Sequence, residues 1–413
     1  MTRVYIIETS DGAMIQAADV PSAISGEGVF TDLVEERVRQ AASDFTVPDF
    51  VFNPRKVLKG GAPKEVTDAL IVAGRLALSV QVKTRDPASA SGDPAKEERW
   101  IRKHAKKGMG QADGSFRIFR LAGGGRFTNR VGREVDIDAE GLVVCNVVVI
   151  DHPDPPKVTL DQSGAKNPTL FLLRYEWEFL LGQLRSVYGV HRYVHGVTAL
   201  PMVPLGDELI RFDQQVMLAG RSLQRPGNRV DAQSALVDPT LPLIQMGRPL
   251  PECEVFWRNL YLSISECNFL PEHERIRLEV MAKLDCLPFS MRNAVAVQVI
   301  SRLENLTSQL DYLVVQEHSS GIQFVFGLTE VHPSECVPLF NALVHLRHSR
   351  HPAVGDEEGK LTIGIMFLKA PRNNIGFTIS LVPLVGPPSL TAEQVEEIDA
   401  LFGEVVPIVS DED

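Results

Sequence analysis

The stretch Glu65-Val66-Thr67-Asp68-Ala69-Leu70-Ile71-Val72, followed by Ala73-Gly74 and then Leu76-Ala77-Leu78-Ser79-Val80-Gln81-Val82-Lys83, decides the fold. It reads as a β-hairpin with Ala73-Gly74 as its turn. Alternate residues of a strand face the same side. Leu76, Leu78, Val80 and Val82 therefore form one apolar face, matched by Ala69 and Ile71 on the first arm. Ala77, Ser79, Gln81 and Lys83 form the other, together with Asp68, Leu70 and Val72. With that turn, Asp68 stands across from Ser79 and diagonal to Gln81, within the roughly 7–8 Å over which diagonal side chains converge. An amide and a lysine on the inward side of an apolar strand are costly unless something uses them. A divalent cation and a phosphate would use them.

Composition sets the frame around the hairpin. The chain has 413 residues, 44% hydrophobic and 23% charged, as in ordinary globular proteins, and is long enough for two or three domains. No apolar run approaches the ~20 residues needed to cross a bilayer. The first residues alternate like a strand and carry no signal-peptide core. Five widely spaced cysteines without a CxxC fit reduced thiols in the cytoplasm. The net charge of -11 excludes a protein that coats nucleic acid indiscriminately. Locally the balance reverses: Lys96 to Arg133 holds eleven basic and three acidic residues, a net +8.

Working outward, Val29–Phe45 keeps helical spacing through Phe30, Leu33, Val34, Val38, Ala41 and Phe45, with Glu35 and Glu36 beside the stripe. A short strand at Asp49–Pro54 and a polar loop at Lys56–Lys64 precede the hairpin. Asp93-Pro94 starts a helix that runs to about Lys107, buries Trp100, Ile101, His104 and Ala105, and is interrupted at Gly108 and Gly110. A second amphipathic piece covers Gln111–Leu121, and Gly123–Gly125 is a loop. Gly141–Ile150 and Pro168–Leu173 read as strands, and Glu176–Tyr188 as a helix. This order implies a mixed α/β sheet with helices on both sides. Residues 223–251 are polar and interrupted by Pro and Gly, as expected of a linker. Residues 252–409 then form a second α+β domain, with a helix at Glu272–Leu287, strands at Ile322–Thr329, Leu361–Lys369 and Gly376–Val385, and helices near Cys336–Arg350 and Ala392–Phe402. Residues 410–413 are an acidic tail.

Asp68, Gln81-Val82-Lys83 and a preceding glutamate-bearing helix resemble the PD-(D/E)XK nuclease superfamily, in its Mrr/NERD branch, where Gln stands in place of the usual Glu. The resemblance covers about residues 26–197 of a first domain spanning 1–222. It departs in having Thr67-Asp68 where the family has Pro-Asp. It implies a restriction-endonuclease-like domain that hydrolyses DNA with Mg2+ or Mn2+, in restriction or phage defence. Asp68, Gln81 and Glu35 would be the metal ligands, with Glu35 preferred to Glu36 because Val38 and Ala42 follow it at the helix's buried spacing. Lys83 would serve the attacking water. Lys103, Lys106 and Lys107 would bind the nucleic-acid backbone, whose affinity comes from counterion release. Gln111 would face the site. The second domain would recognise a target or partner, or form a homodimer.

Plainer readings compete with this one. A nuclease fold that has lost its chemistry, or an interaction module, would keep the same hairpin. His345, His348 and His351 suggest a metal cluster, but their spacing fans around a helix that also carries Arg347 and Arg350; favourable charge at a helix C-terminus explains them better. Asp136 and Asp138 read as loop carboxylates, and Gly123–Gly125 lacks the Lys-Ser/Thr of a phosphate loop.

Overall fold

The structure is a computed structural model that describes residues 4–8, 14–18, 21–53, 56–59, 62–65, 67–223, 251–267, 274–287, 289–306, 310–317, 322–331, 333–351, 360–369, 377–402 and 408–409. The chain divides into two units, residues 1–248 with 271–288, and residues 249–270 with 289–413. Both are α/β, with mixed sheets flanked by helices. The expected linker lies largely outside the described residues, and the acidic tail wholly so.

The first unit runs β1 (Val4–Glu8), β2 (Met14–Ala18), α1 (Phe30–Phe45), β3 (Val51–Phe52), β4 (Lys56–Lys59), β5 (Ala62–Glu65), β6 (Ala69–Ala73), β7 (Leu76–Thr84), α2 (Pro94–Leu121), β8 (Gly124–Thr128), β9 (Glu134–Asp138), β10 (Val143–Asp151), β11 (Thr169–Leu173), α3 (Arg174–Leu184), α4 (Val187–Val197) and α5 (Glu208–Leu223). Its main sheet has the order β11-β10-β7-β6-β3. β7 is central, antiparallel to β6 and parallel to β10. β10, Val-Val-Cys-Asn-Val-Val-Val-Ile-Asp, is buried along almost all its length, as a parallel strand covered on both faces must be. α2 covers the face carrying Ala77, Val144, Val148, Ile150 and Phe171. α1, α3 and α4 cover the other, where the indole of Trp177 donates to the Val38 carbonyl at 3.2 Å.

Several elements differ from the sequence expectation. Lys56–Lys64 is the β4-β5 hairpin rather than a loop, and the Gly-rich stretch begins β8, paired with β9. Asp136 and Asp138 lie on β9, where Arg126 holds Asp136 at 2.8 Å. Glu176–Tyr188 divides into α3 and α4 at Arg185, whose φ of 43° ends α3. The largest difference is α2, a single helix of 28 residues that does not break at Gly108. A Cβ at Gly108 would stand 2.8 Å from Val148 Cγ1. This glycine admits the helix to the sheet instead of ending it.

The chain enters the second unit as α6 (Pro251–Glu266) and returns to the first as α7 (Glu274–Asp285), where the sequence had suggested a helix of the second domain. Arg277, fully buried, reaches Asp49 at 2.6 Å, and Asp285 accepts the amide of Tyr188 at 2.9 Å. The second unit continues with α8 (Phe289–Glu304), β12 (Asp311–Glu317), β13 (Ile322–Thr329), α9 (Pro333–Arg350), β14 (Leu361–Lys369), β15 (Phe377–Val385), α10 (Ala392–Phe402) and β16 (Ile408–Val409). Its sheet order is β15-β14-β13-β12-β16, with β13 and β14 parallel across α9. α6, α8 and β12 had no counterpart in the sequence reading.

Candidate active site

The hairpin that decided the fold carries the site. Its register pairs Ala69 with Val80 and Ala73 with Leu76, so the turn is Gly74-Arg75 and not Ala73-Gly74. Gly74 has φ 58° and Arg75 does not have a positive φ, which puts the glycine first in the turn, as type II′ requires. The register is thereby displaced by two residues from the expected one. An even displacement leaves every side chain on its expected face. Asp68 ends level with Gln81 and Val82 instead of Ser79.

Asp68 sits in the bend before β6 and directs its carboxylate along the sheet. Its Oδ2 accepts the backbone N–H of Val82 at 2.6 Å and lies 3.8 Å from Lys83 Nζ. Lys83 also donates to the Val82 carbonyl at 2.7 Å. Burial raises the Asp68 pKa, against the pull of Lys83, the Val82 amide and Arg39. Burial likewise lowers that of Lys83, partly offset by Asp68 and Glu35. Both directions follow from removing charge from water. Gln81 is 3% exposed, its Nε2 lying 3.4 Å from Thr67 Oγ1. That contact uses the amide's donor end and leaves its carbonyl oxygen as a neutral oxygen ligand.

α1 supplies the remaining side chains. Glu35 and Glu36 part company around Arg39. Glu36 is held by Arg130 at 2.6 Å and by Arg39 at 3.2 Å, which keeps its carboxyl below the ordinary range despite opposing burial. Glu35 lies 4.0 Å from Arg39 Nη1 and its charge acts on Lys83. Of the two, Glu35 is the one whose charge reaches the hairpin's Lys83. Arg39 is absent from the sequence reading, and Thr67 enters it only as the residue in place of the family's proline. Arg39 donates to the Asp68 carbonyl at 2.8 Å, and Thr67 Oγ1 stands 2.8 Å from the Val80 carbonyl. The signal for Arg39 was present, since it follows Glu35 by one helical turn.

Lys103, Lys106 and Lys107 are exposed on α2, as expected of backbone-binding residues, and the charge of Lys107 acts on Lys83. Gln111 is half-buried, with an Oε1 that is out of solvent and accepts no hydrogen bond. His104 stacks on Trp100 at 4.2 Å, and burial with four nearby cations, Lys83 among them, lowers its pKa. At the helix's start, Glu97 accepts Arg85 at 2.9 and 3.0 Å and contacts His152 at 2.9 Å, tying α2 to the ends of β7 and β10. These contacts, Arg85 foremost, hold the Glu97 carboxyl far below its ordinary range.

Among the described residues no three His, Cys, Asp or Glu side chains form a group able to hold a metal ion. The oxygen donors near the hairpin are two carboxylates and one amide, a set of the kind magnesium uses when substrate phosphate and water complete its shell. His348, from the histidine run, spends both ring nitrogens on Thr362 at 3.0 Å and the Gly386 carbonyl at 2.7 Å. The chain matches no protein-family model, no curated protein and no solved structure.

Proposed function

We propose that the first unit is a restriction-endonuclease-like domain that hydrolyses DNA phosphodiester bonds with Mg2+ or Mn2+. One observation carries the reading: Asp68 and Lys83 meet at 3.8 Å near the end of β7, beside Gln81. The order α1, β3, β6, β7, α2, β10 and the exposed lysines of α2 support it. Asp68, Gln81 and Glu35 would hold the metal. When bound, it would supply a more acidic water and neutralise charge at the phosphate. Lys83, an ammonium 3.8 Å from Asp68, would orient the attacking water and stabilise charge on the pentavalent phosphorus. Lys103, Lys106 and Lys107 hold the backbone, and Gln111 presents its unpartnered carbonyl beside them. A role in restriction or phage defence, in the cytoplasm, accords with such an activity.

Plasmid cleavage by the purified protein tests this. Nicking that requires Mg2+ or Mn2+ and disappears in Asp68→Ala and Lys83→Ala, both still folded by circular dichroism, is the expected result. Unaltered cleavage in both variants rejects the site. A second reading, a DNA-binding module without chemistry, is favoured by the neutral Gln81 among the ligands. It requires DNA affinity that falls steeply with salt and no metal-dependent cutting.

A further inference from the structure

We infer that Arg39 is the pocket's internal counter-cation: it competes with the divalent metal for the carboxylates and so sets the metal affinity. The inference rests on the metal-dependent reading above and adds to it a residue that the hairpin motif does not contain. Arg39 Nη1 is 4.0 Å from Glu35 Oε2 and donates to the Asp68 carbonyl at 2.8 Å. Its side chain is 11% exposed, too enclosed to serve as a contact to the nucleic-acid backbone. Lys83, equally enclosed, faces Asp68 from the other side. The carboxylate nearest to Arg39 is the third one, Glu36, at 3.2 Å, which it shares with Arg130. Toward Asp68 and Glu35, Arg39 acts through the charge of its guanidinium.

The consequence is a charge balance. Asp68, Glu35 and Glu36 bring three negative charges, and Arg39, Lys83 and Arg130 return three positive ones. A divalent ion entering this pocket meets carboxylates already offset by nearby cations, with the Arg39 guanidinium 4.0 Å from Glu35. Charges at this separation in a partly dry site interact strongly, so the competition is substantial. Gln81, neutral where a third ligand charge would strengthen the metal's hold, makes the outcome more sensitive to Arg39.

A purely structural role gives the opposite sign. If Arg39 only steadied the Asp68 bend, its removal would disorder the ligands and weaken metal binding. Mn2+ binding to the full chain, followed by electron paramagnetic resonance, separates the two. Arg39→Met keeps the aliphatic stem and removes the charge; it should bind Mn2+ about tenfold more tightly than wild type. Arg39→Lys, which keeps the charge, should stay close to wild type. Unchanged or weaker binding in Arg39→Met overturns the inference. Should that variant not fold, the wild type decides: the Arg39 Nε–Hε resonance must shift as Mg2+ saturates the protein, and a resonance that stays in place overturns it. Asp68→Ala is the control. Mn2+ binding that is lost in Asp68→Ala, with no gain in Arg39→Met, removes the role of Arg39 alone. Mn2+ binding equal in wild type and Asp68→Ala, or absent from both, removes the metal site and the proposed function with it.

Discussion

His191, on α4, donates through Nε2 to the Val143 carbonyl at 3.0 Å, while Nδ1 is buried without a hydrogen-bond partner. Burial brings its pKa down to about 4. An unfolded chain binds this proton near pH 6.5, so between that pH and 4 the unfolded state carries a proton that the folded state refuses. Stability is therefore full above pH 6.5 and falls as pH drops through the window, by about 3 kcal/mol across it. Urea titrations from pH 4 to 7 should show that slope, and His191→Gln should flatten it. The same slope in both proteins rejects the assignment. At this scale the sequence was a good guide where strand parity applied. Asp68, Gln81 and Lys83 share a face because alternation survives an even displacement of register. Thr67 reads in the sequence only as a departure from Pro-Asp, and Arg39, one helical turn after Glu35, only as one among the charges of α1. Nothing local shows that their side chains reach the Val80 and Asp68 carbonyls.

Among elements, α2 shows how one residue type has two meanings. Gly108 is pressed against Val148 and Lys83, whereas a Cβ at Gly110 or Gly114 would meet nothing within 4 Å. Gly108→Ala must push the helix off the sheet, costing about 1–3 kcal/mol and moving Lys83, so cleavage should fall with stability. Gly110→Ala and Gly114→Ala should raise stability by up to about 1 kcal/mol through helix propensity alone. Equal effects at 108 and 110 in chemical denaturation would contradict the close approach. Gly327 and Gly364 of the second unit have the same use, with Phe340 2.6 Å and Val344 2.5 Å from a Cβ there. Helix periodicity was legible in the sequence on both sides of Gly108. The continuity was not, because it depends on what lies beneath the glycine.

For the whole molecule, the fate of α7 is the main lesson. Its sequence has the periodicity of any amphipathic helix and sits within the expected second domain. It belongs to the first unit because Arg277 pairs with Asp49, and because Leu278 packs against the core cluster that includes Phe116 and Phe119. Arg277→Met leaves the buried Asp49 to Arg133, an ion pair at 3.2 Å, and should destabilise the first unit by about 3 kcal/mol. Hydrogen exchange of the full chain should lose protection in β3, β6 and α7. Loss confined to the second unit would contradict the assignment.

The sequence by itself determined the hairpin, the facing of its polar residues, the strongly apolar β10 and the basic character of α2, because each depends on neighbours a few positions away. Only the tertiary structure decided that Arg39 reaches Glu36 and the Asp68 carbonyl, that α2 is continuous, and which unit claims α7. Those outcomes depend on groups as far as 29 and 228 residues apart along the chain, brought within contact distance by packing. No local pattern records such distances; burial and charge pairing in three dimensions do.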